Sequence, residues 1–270
     1  MLDNSPDFLM IELDEVSSTN TFLRDYRPTS HTPITLVTAE HQTAGRGQTG
    51  NTWESERSSN LLFSLQVKPA SLPANHTFAL SQAIALAIRE AIASILNRQS
   101  SITNPQSSIS VKWPNDIYVG DRKIAGILIE NDFRGASVER SIIGCGVNIN
   151  QADFKFPTIL PPKANAPTPV SLLQITGQPT ERSLVLSAIV EAFRRRYPAI
   201  ESGSSEAIGA LRADYLAALY RRTGFHPYRD ANGTFMAEIA DVEPSGCLIL
   251  RDSEGRLRHY AFKQVAYLPE

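Results

Sequence analysis

One long segment is apolar on nearly every side, and it limits the folds that this chain can adopt. In 74–98, isoleucine, leucine and alanine are spread around the whole circumference of a helix rather than along one stripe. A helix of this kind must be surrounded by other parts of the protein. The uninterrupted runs of about 18 apolar residues that predict a transmembrane helix do not occur in the sequence. The segment therefore predicts a largely buried helix in a globular domain.

Strand-like runs lie on both sides of this helix and do not alternate regularly with helices. Alternating or apolar patterns predict strands at about 8–13, 34–39, 61–67, 109–119, 124–130 and 141–149. Further helices are predicted at 20–27, with Ser18 or Thr19 as the N-cap, and at about 181–197 and 205–222. This order favours an α+β fold, with a mixed sheet and packed helices, over a doubly wound fold.

The C-terminal part of the chain has a different character. Turn residues separate short β-like runs at 234–240, 247–251 and 258–268, and this pattern predicts a small β-barrel or sandwich. The predicted domains are therefore 1–223 and 224–270. Two other segments are rich in polar residues or proline, and they predict a surface loop at 99–110 and an extended connection at 154–169.

Charge and cysteine content argue against several classes of protein. The chain has 26 basic and 28 acidic residues, a net charge of -2, and 42% hydrophobic residues. This balance is typical of a globular protein and gives no indication of binding to DNA or to a membrane surface. Cys145 and Cys247 form no disulfide framework, and the N-terminus shows no signal peptide, so we expect a cytoplasmic location. The histidines lack paired-ligand spacing, so no zinc site is predicted.

A glycine-rich loop is the most informative short motif. Gly45, Gly47 and Gly50 satisfy the dinucleotide-binding pattern, but the residues after them are poor helix formers and no acidic residue follows at the required distance. The loop is not a phosphate-binding P-loop either, because Asn51 occupies the lysine position. Two interpretations remain for the loop. Either its backbone N–H groups and Arg46 bind an anion, or it is an ordinary surface loop.

Two further motifs place polar residues within β-like sequence. The runs at 112–119 and 123–130 predict a hairpin with Lys112, Asp116 and Lys123 near its mouth, although surface lysines are also common in such hairpins. Pro114 predicts a break or bulge in the first run. Glycines in the strand Gly144–Asn150 indicate close approach of a ligand or of another backbone.

Taken together and in order, five segments resemble the biotin protein ligases. They are Ser18–Asn20, Gln42 with the loop 45–53, Lys112–Asp116 (KWPND), Lys123–Glu130 (KIAGILIE) and Gly144–Asn148 (GCGVN). The resemblance runs from about residue 10 to the C-terminus. It implies a class II synthetase-like catalytic domain followed by an SH3-like β-barrel, which agrees with the β-rich pattern of 224–270.

The resemblance also implies an activity and its participants. These ligases attach biotin to a lysine of a biotin carboxyl carrier protein, by default that of acetyl-CoA carboxylase, through a biotinyl-5′-AMP intermediate. Biotin would be the substrate and ATP with Mg²⁺ the co-substrate. Lys123, Arg46 and Asp116 would be the catalytic residues. Asp116 would also be the Mg²⁺ ligand and a candidate base for the acceptor amine, which must lose a proton before it attacks.

The resemblance assigns two overlapping sets of binding residues. The biotin-binding set is Ser18, Thr19, Asn20, Gln42, Arg46, Gly47, Gln48, Lys123 and Gly126. The ATP-binding set is Gly45, Arg46, Lys112, Asn115, Asp116 and Asn148.

The chain departs from the family pattern in two places. The family loop often carries arginines where this chain has Gln48 and Asn51, so closure over the adenylate would rely more on Arg46 and the backbone. Some members have a DNA-binding domain ahead of the catalytic part, whereas here the Ser18 motif lies close to the first residue. We therefore expect a monofunctional ligase that binds neither DNA nor a membrane, as a monomer or a homodimer.

Three other functions compete with biotin ligation. A lipoate–protein ligase or octanoyl transferase would share the catalytic fold, but the KWPND block and the glycine loop favour biotin. A non-catalytic biotin sensor could lose Arg46 and Lys123, and both are present. A nicotinamide-dependent oxidoreductase is supported by the glycine pattern alone.

Overall fold

A seven-stranded mixed sheet forms the centre of the N-terminal part of the protein. The computed structural model describes residues 8–27, 33–48, 51–99, 108–154 and 167–269. The strands are β1 (Phe8–Val16), β2 (Ile34–Gln42), β3 (Leu61–Val67), β4 (Ile109–Lys112), β5 (Asp116–Val119), β6 (Arg122–Arg134) and β7 (Ser137–Val147). Their order is β1-β2-β3-β7-β6-β5-β4. Only β1 and β2 run parallel to each other, and every other neighbouring pair is antiparallel.

Helices cover the two faces of this sheet unequally. A 3₁₀ turn (Ala74–His76) leads into α2 (Phe78–Gln99), which packs against α4 (Arg182–Glu201) and α5 (Ser205–Ala217) and forms the main core with one face of the sheet. The opposite face carries α1 (Thr19–Asp25), where Leu23 packs with Val37 and Ile142 in a separate small cluster. A short helix, α3 (Leu172–Thr176), follows later in the chain. The face that carries α1 thus stays partly open, and the candidate site lies there.

The long apolar helix is buried, as its composition predicts. Leu80, Ile84, Ile88 and Ile92 have no solvent exposure. By length and composition Ala74–Gln99 could cross a membrane, with a mean hydropathy of 1.5, but 78% of the apolar window lies inside the fold. That degree of burial is the pattern of a core helix surrounded by protein.

A second, smaller sheet forms the C-terminal part. Its strands are β8 (His226–Asp230), β9 (Gly233–Val242), β10 (Leu248–Asp252), β11 (Leu257–Tyr260) and β12 (Ala266–Tyr267). All neighbouring pairs are antiparallel, in the order β11-β10-β9-β8-β12. The Tyr260 hydroxyl of β11 donates to Asp230 Oδ2 of β8 at 2.8 Å although two strands separate them in this order, so the sheet curls on itself. The predicted small β-barrel is therefore confirmed, and the α+β class with it; the predicted boundary at 223/224 falls between α5 and β8.

Several predicted elements differ in extent for identifiable reasons. The predicted strand 109–119 is two strands that form a hairpin, because the chain turns at 113–115 around Pro114. The predicted strand 258–268 is also two strands, which pair with different partners. The helix predicted to reach 222 ends at Ala217, because the next residues bond to the edge strand β4: Val111 N–H donates to the Ala218 carbonyl at 2.8 Å.

One predicted helix is shorter than the observed helix, two elements were not predicted, and two predicted segments lie mostly outside the described residues. The helix predicted at 181–197 continues to Glu201 and includes Pro198, which removes one backbone hydrogen bond near the end of the helix. The sequence patterns did not indicate α3 or β8. Most of the loop predicted at 99–110 and of the connection predicted at 154–169 lies outside the described residues.

Candidate functional site

The strand register leaves a cleft on the open face of the large sheet. Gly126 of β6 pairs with Gly146 of β7 on one side and with Asp116 of β5 on the other. Two residues along β7, Gly144 pairs with Ser64 of β3. Because side chains two residues apart in a strand point to the same face, these glycines form a floor without side chains. The cleft above this floor has a volume of about 160 Å³.

A network of neutral polar groups forms one end of the cleft. Gln42 Oε1 accepts hydrogen bonds from the Thr19 backbone N–H at 2.7 Å and from Thr19 Oγ1 at 3.1 Å. Ser64 Oγ lies 2.7 Å from Thr19 Oγ1 and 2.6 Å from Asn20 Oδ1, so the Ser64 hydroxyl donates a hydrogen bond to one of these two oxygens. Ser18 begins α1 without a side-chain capping bond and lines the cleft. These groups present donors and acceptors suited to a neutral polar ligand.

The glycine loop folds over the cleft as a narrow hairpin. Trp53 N–H donates to the Gly45 carbonyl at 3.0 Å, and Gly47 N–H donates to the Asn51 carbonyl at 3.0 Å. The loop therefore opens no helix, which removes the dinucleotide-binding interpretation. A Cβ atom at Gly45 would lie 2.3 Å from the Trp53 carbonyl oxygen, so this position requires a residue without a side chain.

The indole of Trp53 lies directly on the glycine floor. A Cβ atom at Gly146 would lie 2.2 Å from Trp53 Cε2, and one at Gly126 would lie 3.0 Å from Trp53 Cζ3. The buried Trp53 Nε1 has no hydrogen-bond partner. Trp53 belongs to the glycine-rich loop, but its sequence context predicts no role for it. The contact that reveals one, an aromatic ring over two glycines, depends on the tertiary structure.

Two cations reach the cleft from different elements, and each is held by a carboxylate. Lys123 Nζ lies 2.7 Å from Asp116 Oδ1 and 5.6 Å from the centre of the Trp53 ring. The backbone of Lys123 is fixed as well, because its N–H donates to the Thr168 carbonyl and its carbonyl accepts from Val170 N–H. Arg46 and Lys123 are the cations, and Asp116 the carboxylate, among the described residues that line the cleft.

Arg46 is oriented by Glu130, the last residue of the KIAGILIE motif, which was not among the predicted site residues. Arg46 Nη2 donates to Glu130 Oε2 at 2.6 Å, and Asn20 Nδ2 donates to the same oxygen at 2.8 Å. Arg24 pairs with the other oxygen. Burial raises the pKa of Glu130, but the hydrogen bonds from Asn20 and Arg46 and the two arginine charges outweigh it, so the pKa of Glu130 lies below its ordinary value. Glu130 therefore links the loop cation to the neutral end of the cleft.

The fold brings most of the predicted site residues together. Those that line the cleft are Ser18, Thr19, Asn20, Gln42, Arg46, Gly47, Gln48, Asn115, Asp116, Lys123 and Gly126. Cys145 also lines it, and burial raises the pKa of this thiol far above its ordinary value. The individual roles of the predicted residues stay predictions, but the position of these residues around one cavity is a property of the structure.

Three predicted residues do not line the cleft. Lys112 Nζ lies 3.0 Å from Tyr118 Oη and 5.2 Å from the ring centre of Tyr267, so it joins the large sheet to the C-terminal sheet. Asn148 is buried and donates to the Val170 carbonyl at 3.1 Å. Gly45 lies at the base of the loop. The side chains of Lys112 and Asn148 thus bond outside the lining of the cleft, and the roles predicted for all three residues in ATP binding stay predictions.

Comparisons with known proteins find that the chain is similar to members of one enzyme family. The model of the biotin/lipoate A/B protein ligase family matches residues 13–148. The bifunctional ligase/repressor BirA of Bacillus spizizenii is 31% identical over 252 residues, which are 93% of this chain and 72% of that protein. A biotin–[acetyl-CoA-carboxylase] ligase of Paracoccus denitrificans is 29% identical over 82% of this chain and 85% of its own length.

The fold has close counterparts among solved structures. A biotin protein ligase from Aquifex aeolicus, in complex with biotin and ATP, superposes with a TM-score of 0.73 at 22% identity, covering 97% of this chain and 99% of that one. A biotin protein ligase from Leishmania major, in complex with biotin, gives a TM-score of 0.60 at 23% identity, covering 96% and 100%. These likenesses establish the architecture of both sheets.

Proposed function

Because this chain belongs to the biotin/lipoate A/B protein ligase family, we propose that it is a ligase that uses ATP to attach biotin to a lysine of a biotin carboxyl carrier protein. Relatives with biotin ligase names support biotin over lipoate or octanoate as the substrate. The observation that carries the proposal is a single cleft with a neutral hydrogen-bonding end at Gln42 and a cationic end at Arg46 and Lys123. Biotin has the same polarity, a neutral ureido ring at one end and a carboxylate at the other.

The first half-reaction joins two anions, and the cationic end suits that task. A carboxylate oxygen of biotin attacks the α-phosphorus of ATP, the bond to the bridging oxygen breaks, and pyrophosphate leaves with the electron pair. Lys123 and Arg46 offset the repulsion between carboxylate and phosphate and hold the two groups in line.

In the second half-reaction, a lysine amine of the carrier attacks the carbonyl carbon of biotinyl-5′-AMP. An amide bond forms, AMP leaves, and the amine loses a proton. Asp116 is positioned to accept that proton, because its carboxylate is the one that reaches the cleft among the described lining residues. Mg²⁺ arrives with ATP and prefers oxygen ligands, often one or two carboxylates with phosphate and water. Asp116 fits such a ligand set.

The experiment that tests the proposal measures the mass of a purified biotin carrier domain after incubation with the full chain, biotin, ATP and Mg²⁺. We expect the carrier to gain one biotinyl group on one lysine. Parallel reactions with lipoate or octanoate and their own carrier domain test the competing substrates. If only the reaction with lipoate or octanoate modifies its carrier domain, that acid and not biotin is the substrate. Binding of biotin without any transfer would favour a sensor.

Asp116→Asn tests the base and the positioning role separately. The substitution removes the carboxylate charge that holds Lys123 at 2.7 Å, so we expect slower formation of biotinyl-5′-AMP. It also removes the proton acceptor, so we expect slower transfer from preformed biotinyl-5′-AMP to the carrier, by about 100-fold or more. Each half-reaction is followed alone by rapid-quench kinetics. Unchanged transfer from the preformed intermediate would remove Asp116 from the base role.

Gln48→Arg tests whether the loop composition sets retention of the intermediate. Gln48 lines the cleft and donates hydrogen bonds without a charge. An arginine there adds a cation beside the phosphate of biotinyl-5′-AMP, so we expect slower release of the adenylate, by about tenfold for an added 1.4 kcal/mol. The release rate is measured by stopped-flow fluorescence. Arg122→Lys, which keeps the charge of an exposed residue outside the cleft, serves as the control, and an unchanged release rate for Gln48→Arg would contradict this role of the loop.

Other properties of the ligase remain predictions. The net charge of -2 supports the absence of DNA binding, and an electrophoretic mobility shift with operator-like DNA would test it. Sedimentation velocity would distinguish the monomer from the homodimer. The cytoplasmic location, expected from cysteine usage, would be tested by fractionation.

A further inference from the structure

Three possible metal ligands of different type meet at one corner of the C-terminal sheet. Glu243 follows β9, Cys247 precedes β10, and His259 lies in β11. One oxygen of Glu243, the sulfur of Cys247 and a ring nitrogen of His259 all lie within 4.8 Å of one another. His259 Nδ1 is 3.1 Å from Glu243 Oε1. This cluster has no part in the proposed ligase chemistry.

The strand register explains why the three side chains share a face. Glu243 N–H donates to the Cys247 carbonyl at 2.8 Å, so these residues face each other across a tight turn. His259 pairs with Ile249, which lies two residues beyond Cys247 on the same strand side. His259 is therefore the diagonal neighbour of Cys247 on that face, within reach of a long side chain. The spacing along the chain matches no paired-ligand motif, so the sequence did not predict this grouping.

We propose that Glu243, Cys247 and His259 form a Zn²⁺ site, with a fourth position open to water. Thiolate, imidazole and carboxylate are the usual zinc ligands, and a tetrahedral ion at the usual bond lengths of about 2.0 to 2.3 Å places its ligand atoms about 3.3 to 3.7 Å apart. The separation of 3.1 Å between His259 Nδ1 and Glu243 Oε1 is close to this, and the Cys247 sulfur lies within 4.8 Å of both ligand atoms. His259 is 52% and Glu243 39% exposed, so an ion can enter from solvent.

The turn that carries the site also contacts the large sheet's segment ahead of Asp116. Trp113 Nε1, from the KWPND segment that leads to Asp116, donates to the Gly246 carbonyl at 2.9 Å. Gly246 lies within the turn that Glu243 and Cys247 close, and a Cβ atom there would lie 2.7 Å from the Phe78 ring. An ion bound to both ends of this turn would hold the contact to Trp113 in place. Its function would be to stabilise the junction between the two sheets.

The test is a titration of the chelator-treated full chain with Co²⁺. This ion binds at zinc sites, and its absorption spectrum shows which kinds of ligand it has. We expect one Co²⁺ per chain, a thiolate-to-metal charge-transfer band, and intense tetrahedral bands that excess Zn²⁺ removes. Cys247→Ser should lose the charge-transfer band, and His259→Gln should weaken binding by at least about tenfold. His226→Gln, in the same sheet but outside the cluster, is the matched control and should bind normally.

A second measurement separates binding from a change in fold. Zn²⁺ should raise the Tm of the wild-type chain and of His226→Gln, but not that of Cys247→Ser. All three cluster residues are partly exposed, so we expect each variant to keep the Tm of the metal-free wild type. Absence of the thiolate band in the wild type, or its survival in Cys247→Ser, would overturn the proposal. Neither readout depends on ligase activity.

Discussion

Lys123→Ala is expected to lower the rate of biotinyl-5′-AMP formation by about 100- to 1,000-fold, the usual cost of removing one preorganised charge donor. Lys123 is held in place at both ends: its backbone is bonded to the segment 168–170, and its ammonium group pairs with Asp116 at 2.7 Å. The ammonium group therefore needs little reorganisation when biotin carboxylate and α-phosphate meet. Alanine removes the charge and leaves Asp116 facing the two anions, which adds repulsion. Pyrophosphate release measures the rate.

The control for this experiment lies one residue away. Arg122 is exposed at the start of β6 and does not line the cleft, so Arg122→Ala removes a cation from the same strand without altering the site. We expect nearly wild-type pyrophosphate release from this variant. Lys123→Ala should also keep a wild-type Tm within a few degrees. A Lys123→Ala rate within tenfold of wild type would show that Arg46 alone supplies the needed charge.

Gly144→Ala is expected to weaken biotin binding at the neutral end of the cleft. The added Cβ would lie 2.2 Å from Asn20 Oδ1 and 2.8 Å from Asn20 Cγ. Asn20 is 3% exposed and cannot move freely, because Ser64 and Glu130 hold its amide. Displacing it costs about 1–3 kcal/mol for each buried polar group left without a partner. This strain weakens biotin binding by at least about tenfold, as measured by calorimetry.

Gly209→Ala is the matched control. Gly209 lies on the exposed side of α5, and an added Cβ would meet no atom within 4 Å. In a helix, replacing glycine by alanine is favourable by about 1 kcal/mol, so this variant should be slightly more stable and bind biotin normally. Gly144→Ala should bind biotin more weakly and show a lower Tm. Unchanged biotin affinity in Gly144→Ala would place the ligand away from the Asn20 end.

Local patterns in the sequence were sufficient to predict those helices and strand breaks that do not depend on contacts with distant parts of the chain. The apolar circumference of 74–98 required a buried helix, and Phe78–Gln99 is one. The break at Pro114 was also predictable, because proline cannot continue a strand ladder. The end of α5 at Ala217 was not, because a backbone bond to Val111, far away in the chain, replaces the helical bonds there. Such a competition cannot be seen in a local window.

For the candidate site, the sequence by itself determined which residue types are available: short polar side chains at the start of α1, a glycine loop with one arginine, and a lysine at the start of a strand. Only the tertiary structure decided how they combine. Strand register stacked the glycines into a floor for Trp53, and it turned Lys112 toward Tyr118 instead of the cleft. It also brought Glu130 to Arg46 and gathered Glu243, Cys247 and His259. The physical reason is that register depends on pairing between distant strands, and a shift of one residue would send every side chain to the opposite face.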